Sequence, residues 1–254
     1  MLLTWLQLGR YYKAEGMKDE FDVTVICTVT TYTRKLDEKY KEKKFYKEEI
    51  NGVKVIRVPV PEFKKKYGLE NKFIIMYSGN IGFYYDLEGL IKVIEKFKGA
   101  KTPDGRDVIF AFVGAGSVLN RLVMYVKEHG MDNTVFIPYQ DKDKLIYSLN
   151  AADVHWCVNA KGIKGVSCPN KFYGIAGVGK PVLAVLENGV EVEMLINEIG
   201  CGIVSEPGNY KAIADDVRWF IDNAGSNELA GMGKQGHEYL VDYLTKNVSV
   251  GRLR

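Results

Sequence analysis

The sequence is short of the residues that usually announce chemistry. Its 254 residues include three histidines and four cysteines. Cys27, Cys157, Cys168 and Cys201 are widely separated and make no CxxC pair or Cys/His spacing suited to zinc. So few cysteines in so long a chain exclude a disulfide scaffold. Cys27 and Cys157 sit in apolar runs and read as reduced core residues. No apolar stretch reaches the roughly 18–20 residues that would span a bilayer. Met1-Leu2-Leu3-Thr4-Trp5-Leu6 lacks a basic n-region and a small-residue cleavage site, so it is not a signal peptide and the expected location is cytoplasmic. Also missing is a GxGxxG fingerprint followed about 20 residues later by an acid, which argues against a nicotinamide-dependent oxidoreductase.

Neither sign of charge dominates: 35 Lys and Arg against 32 Asp and Glu leave +3. With 46% apolar residues the chain folds rather than staying disordered. The small excess is uneven. Residues 1–67 hold 15 basic and 10 acidic side chains, a net of +5, and the remaining 20 and 22 give −2. Lys39, Lys41, Lys43, Lys44 and Lys64–Lys66 carry the basic clusters. They read as a solvated face, or as a surface drawn to anionic lipid or phosphate. Nothing in the pattern suggests a nucleic-acid reader.

Two kinds of organisation follow one another. Residues 2–14 have helical apolar spacing, and residues 22–28 are β-branched and read as a strand. Two extended runs, 44–49 and 53–60, flank Asn51-Gly52, the strongest short hairpin signal. The polar stretch 64–71 reads as a linker. From Lys72 onward strands alternate with helices. Strands are expected at 73–78, 108–114, 135–138, 154–158, 181–185 and 202–205. Helices are expected from Leu87, over 119–128, 142–151, 170–177 and 190–197, and last over 210–223. Short apolar strands alternating with helices predict a parallel, doubly wound α/β sheet. Its ligands bind beyond the carboxyl ends of the strands, where the strand order reverses. The expected domains are 1–67, a small α/β segment, and 72–245, with a tail at 246–254.

The loops after the strands are therefore the candidates. Gly79-Asn80-Ile81-Gly82 follows the first buried strand. It is a tight turn, or a backbone cradle for an anion at a helix N-terminus. Gly114-Ala115-Gly116 is weak alone and reads as a turn. Pro138 ends a strand, and Tyr139 is either a surface residue or packs on a planar ring. The loop 161–171 is glycine-rich and basic. Within it Ser167 or Asn170 can cap the next helix. Cys168 has no histidine patterned beside it and reads as structural or site-lining rather than nucleophilic.

Taken in order, these segments resemble the C-terminal domain of family 4 glycosyltransferases. The resemblance is carried by Tyr77-Ser78-Gly79-Asn80-Ile81-Gly82, Phe110-Ala111-Phe112-Val113-Gly114-Ala115-Gly116 and Val135-Phe136-Ile137-Pro138. It continues through Ala152-Asp153-Val154, Pro169-Asn170-Lys171-Phe172-Tyr173 and Gly179-Lys180-Pro181-Val182. It covers about residues 72–245. The first 67 residues resemble pieces of the family's N-terminal Rossmann-like domain, so that domain is expected to be partial.

The resemblance implies a GT-B fold and retaining transfer of a sugar from a nucleoside diphosphate sugar to an acceptor hydroxyl, in surface polysaccharide or glycoconjugate synthesis. It implies no metal or other cofactor. Gly79, Asn80 and Gly82 would touch phosphate, Lys171 would supply the cation, and Pro138 and Tyr139 would border the base. Ile81, Gly114, Gly116, Ser167, Cys168, Pro169, Asn170 and Gly174 complete the implied donor site. The acceptor would be a saccharide or lipid-linked, with peripheral contact at the inner membrane face. Two departures stand out. The family commonly has two glutamates eight positions apart, the second on the ribose hydroxyls; here Val166 and Gly174 occupy those places. Glu187, Glu191 or Glu193 would have to substitute. With a partial N-terminal domain, the alternative is an inactive nucleotide-sugar-binding module that needs a partner chain or self-associates.

Overall fold

The computed structural model describes residues 24–28, 46–50, 53–58 and 61–244. The helix expected at 2–14, the tail and the side chain of Cys27 lie outside the described residues. The chain divides into two compact units, Met1–Gly68 and Leu69–Arg254.

In the first unit β1 (Thr24–Thr28) pairs in parallel with β3 (Val53–Val58), and β2 (Tyr46–Ile50) pairs antiparallel with β3. Ile50 opposes Val53, as a two-residue connection at 51–52 demands. The stretch expected as a linker from residue 64 instead begins inside helix α1 (Pro61–Lys66). Its proline stands at the first helical position, where the missing N–H costs nothing.

The second unit is a six-stranded parallel sheet. Its strands are β4 (Phe73–Ser78), β5 (Val108–Val113), β6 (Thr134–Ile137), β7 (Val154–Val158), β8 (Val182–Val185) and β9 (Gly202–Ser205), in the order β6-β5-β4-β7-β8-β9. The helices are α2 (Leu87–Glu95), α3 (Leu119–Glu128), α4 (Lys142–Ala151), α5 (Lys171–Gly177), α6 (Glu191–Ile199), α7 (Tyr210–Asp222) and α8 (Asn227–Tyr239). The order reverses between β4 and β7, which are joined directly in register at Ile75 and Val154. The doubly wound prediction is therefore met. β4, β7 and β8 are buried along nearly their whole length and, Ser78 and His155 apart, apolar, because helices cover both faces.

Alternation divides the core. Phe73, Ile75 and Tyr77 of β4 and Val154, Trp156 and Val158 of β7 point to one face, among Leu90, Ile94, Val217 and Phe220. Cys157 points to the other, among Phe172, Ile175 and Ile196. Burial pushes the Cys157 thiol up to about 12, so it stays protonated.

Helix α8 corrects the sequence reading, which ended the helices at residue 223. Gly231, Gly233 and Gly236 hide its apolar spacing. Two of them are contact residues: a Cβ on Gly233 would lie 2.3 Å from the Gly179 carbonyl oxygen, and one on Gly236 would lie 3.0 Å from Cys201 Cβ. The helix starts at Ser226, whose hydroxyl accepts from the Leu229 N–H at 3.0 Å. His237 Nδ1 lies 3.1 Å from the Ala176 carbonyl, so α8 buttresses α5. Gly231, by contrast, has nothing within 4 Å of its Cβ position. Gly231→Ala should raise unfolding stability by about 0.5–1 kcal/mol, because alanine costs less entropy in a helix. Gly233→Ala should lower the melting temperature by driving α8 off the 179–180 turn. Thermal unfolding of the two variants checks both signs.

Candidate functional site

The loops at the carboxyl ends of β4 and β7 build the site. β4 breaks at Gly79, whose φ is +143°. The Gly79 N–H donates to Val113 O and the Ile81 N–H to Ala115 O, both at 2.9 Å. These bonds stitch the turn 79–82 to the turn 114–116. Gly114 permits this contact: its φ is +150°, and a Cβ there would lie 1.9 Å from the Gly79 carbonyl oxygen. At Gly116 a Cβ would lie 2.2 Å from the Ile81 carbonyl oxygen. Both glycines therefore serve the joint between turns, and neither is among the residues that line the cavity beside it. The Ile81 side chain is fully buried, and its carbonyl accepts from the Val118 N–H at 3.1 Å. The N–H groups of Asn80 and Gly82 donate no hydrogen bond among the described residues.

Lys171, the first residue of α5, lies across the Gly79 turn. A Cβ on Gly79 would meet Lys171 Cε at 2.6 Å, so glycine is required for the lysine to rest there. The Lys171 ammonium sits 3.9 Å from the Tyr85 ring centroid and 5.1 Å from that of Tyr77. The Tyr77 hydroxyl in turn donates to the Asn80 carbonyl. No carboxylate pairs with Lys171 among the described residues. Burial pushes its pKa below the ordinary lysine value.

A cavity of about 350 Å³ opens beside this lysine. Val113, Leu145, Leu149 and Ile175 give it an apolar side, and Gln140, Asn170 and Lys171 a polar one. Among the described residues its lining contains one cation and no carboxylate. Gly79, Tyr139, Asn170, Lys171 and Gly174 are the sequence-predicted residues brought together here. Tyr139 stands at the mouth, 67% exposed. Pro138 lies just outside, and its carbonyl accepts from Gln140 Nε2 at 2.6 Å. Gly82 turns to a second cavity, lined also by Phe83, Asp86, Glu88, Lys161 and Tyr210.

The loop 159–170 places its residues differently. The Ser167 carbonyl accepts from Asn159 Nδ2 at 3.2 Å, Cys168 is exposed, and Pro169 is buried. None of the three lines the cavity. Asn170 stands at the N-cap of α5 but its side chain makes no capping bond, so the expected cap is not formed. Val166 is exposed, and Gly174 leaves open space with only Leu149 Cδ1 at 3.9 Å from its Cβ position. The three candidate replacement glutamates line no part of the cavity. Glu187 accepts the Lys164 N–H at 2.8 Å, and that bond holds its carboxyl below the usual range. Glu193 accepts from the Gly189 N–H at 3.0 Å and from Asn197 Nδ2 at 2.6 Å.

His155, which stood in no sequence pattern, also lines the cavity. Its Nε2–H donates to the Leu149 carbonyl at 2.8 Å and ties α4 to β7. Tyr85 was likewise missed, because only the fold brings its ring over Lys171.

The architecture is the Rossmann-like α/β fold of GT-B glycosyltransferases. The chain belongs to the family glycosyl transferases group 1, whose sequence profile matches residues 59–239. It is 31% identical over 150 residues to the putative colanic acid biosynthesis glycosyl transferase WcaI of Escherichia coli K12, covering 59% of this chain and 35% of that protein. It is 28% identical over 183 residues to the probable glycosyltransferase WbjE of Pseudomonas aeruginosa, covering 69% of this chain and 40% of that protein. The chain thus spans well under half the length of these relatives. Anabaena HepE, solved in complex with UDP-glucose, has a TM-score of 0.59 at 14% identity over 76% of this chain and 52% of HepE. At that identity the likeness is one of fold. No helix of the described residues is long and apolar enough to cross a membrane.

Burial lowers the His155 pKa from 6.5 to about 4. The unfolded chain therefore takes up a proton below pH 6.5 that the folded chain takes up only near 4. Stability should be full above that window and fall as pH drops through it. Denaturant midpoints between pH 7 and 4 check this, and His155→Gln should flatten the slope.

Proposed function

We propose that this chain is the donor-binding part of a family 4-type glycosyltransferase. It moves a hexosyl group, with retention, from a nucleoside diphosphate sugar to an acceptor hydroxyl. The observation that carries this reading is Lys171: a half-buried ammonium beside an open cavity, facing aromatic rings and no carboxylate. Such a group accepts a phosphate without first breaking an ion pair.

In this reading the leaving diphosphate gathers negative charge as the glycosidic bond breaks. Lys171 and the N–H groups of Asn80 and Gly82 stabilise that charge from fixed positions. The base enters the apolar side of the cavity, bordered by Tyr139 and Pro138, and no metal or other cofactor takes part. UDP is the first donor nucleotide to test, since HepE holds it in the same fold. The WcaI name points to polysaccharide synthesis; in this reading the acceptor is a saccharide or lipid-linked, met at the inner membrane face.

One observation favours a second reading, a binding module that does not turn over alone. With Gly174 open and Glu187 and Glu193 engaged elsewhere, no carboxylate among the described residues of the cavity lining is offered to a ribose. Donor hydrolysis assays separate the two: turnover of UDP-sugar supports the enzyme, binding without turnover the module.

Binding itself is tested by melting temperature and calorimetry with UDP, UDP-glucose, GDP-mannose and NAD. A nucleoside diphosphate should stabilise the protein and NAD should not. Lys171→Met should weaken nucleotide binding roughly ten- to hundredfold, the loss of charge-assisted hydrogen bonds, while the unliganded protein melts as before. A response to NAD alone, or unchanged affinity in the variant, contradicts the assignment.

A further inference from the structure

Residues 159–170 connect β7 to α5, and Lys171 stands where this loop stops. A connection of that length loses much conformational entropy on ordering and keeps one shape only if bonds hold it.

Two bonds tie its middle to the turn after β8. The Lys164 N–H donates to Glu187 Oε2 at 2.8 Å, and the Lys164 ammonium donates to the Asn188 carbonyl at 2.6 Å. The second bond needs a glycine beside it, since a Cβ on Gly189 would lie 2.8 Å from Lys164 Nζ. The N–H groups of Lys164, Gly162 and Ile163 together hold the Glu187 carboxyl below its usual range. Three successive N–H groups thus face one carboxylate, as in a backbone anion nest. Gly162 has φ +84° and nothing among the described residues within 4 Å of its Cβ position, so glycine there serves the backbone curve and not packing.

The receiving turn is itself anchored. The Asn188 N–H donates to Glu206 Oε1 and the Gly189 N–H to Glu193 Oε2, both at 3.0 Å. The Leu186 N–H donates to the Ser205 carbonyl at 3.0 Å and fixes the start of the turn to β9.

From Lys164 a run of hydrogen bonds leads to α5. The Ile163 carbonyl accepts the N–H groups of Val166 at 2.9 Å and Ser167 at 3.2 Å. The Ser167 carbonyl accepts from the buried Asn159. The Cys168 carbonyl accepts the Asn170 N–H at 2.8 Å, and the Pro169 carbonyl accepts the Phe172 N–H at 3.0 Å. Because the Asn170 side chain makes no capping bond, the start of α5 takes its place from the loop and not from a cap of its own.

We propose that Glu187 is a positioning residue for the nucleotide site: it fills the backbone nest at 162–164, holds the loop, and so sets where Asn170 and Lys171 stand beside the first cavity. Glu187 acts only through the loop, since it is not among the residues that line that cavity. The nucleotide part of this inference rests on the proposed function. The placement of Lys171 does not.

The test compares wild type, Glu187→Ala and Glu187→Gln. Both bonds to the turn are solvent-exposed, so the melting temperature should stay nearly unchanged. Two readouts need no nucleotide: hydrogen exchange at the 162–164 amides, and the NMR signal of Lys171 labelled at Cε. Glu187→Ala should speed the exchange roughly tenfold and shift the Lys171 signal. Glu187→Gln keeps an acceptor oxygen and should lie between the other two. In calorimetry Glu187→Ala should weaken UDP about three- to tenfold, the size of coupling a packed network transmits. Unchanged exchange, or faster exchange with an unmoved Lys171 signal, overturns the inference. Equal UDP affinity in wild type and Glu187→Ala overturns its nucleotide part. Failure of wild type to bind UDP overturns the proposed function instead, and the two nucleotide-free readouts still decide the placement of Lys171.

Discussion

A lysine ammonium held against a glycine and beside aromatic rings, with no counter-ion among the described residues, is the interaction on which the rest of the site depends. Lys171 loses hydration by burial and regains part of it from the faces of Tyr85 and Tyr77. That exchange is incomplete, which leaves the charge available to an anion. The surrounding structure serves this placement. Gly79 has no side chain, so the lysine can cross it; Gly114 lets the next turn lock Gly79 in position. Helix α8 presses on α5 through Gly236 and His237, and α5 carries the lysine.

The two cavities divide the chemistry at this turn. On one end stand a cation and apolar walls, and on the other carboxylates, a tyrosine hydroxyl and an aromatic rim. Among the described residues the first lining carries a cation without a carboxylate, and the second carries two carboxylates and a lysine. The switch between β4 and β7 puts both at the carboxyl edge of one sheet, so a single parallel framework aligns them without long loops.

The sheet was legible because buried parallel strands are short apolar runs, and the first three are closed by Gly79, Gly114 and Pro138. The expected strand at 73–78 and helices at 119–128 and 142–151 coincide with β4, α3 and α4. Helix α8 was not legible: the glycines that let it approach Gly179 and Cys201 also erase its apolar stripe. The turn glycines were visible, but their partners were not. Gly114 and Gly116 read as a turn, and as ligand contacts only through the resemblance; what no spacing showed is that their missing side chains make room for neighbouring carbonyls. Tyr85, His155, Leu145 and Leu149 enter the site only through tertiary packing, which no local spacing encodes. The Val166 and Gly174 departures were visible, and the structure adds that Glu187 and Glu193 hold loop N–H groups instead.

The most direct measurement is the ionisation of Lys171 itself, followed by NMR on the labelled Cε with and without UDP. The account predicts a pKa below the ordinary 10.5 in the free protein, since burial strips water from the ammonium. It predicts a rise when UDP binds, because a neighbouring phosphate favours the charged form. A Lys171 pKa that UDP leaves unmoved while it binds would place the phosphate elsewhere and contradict the account.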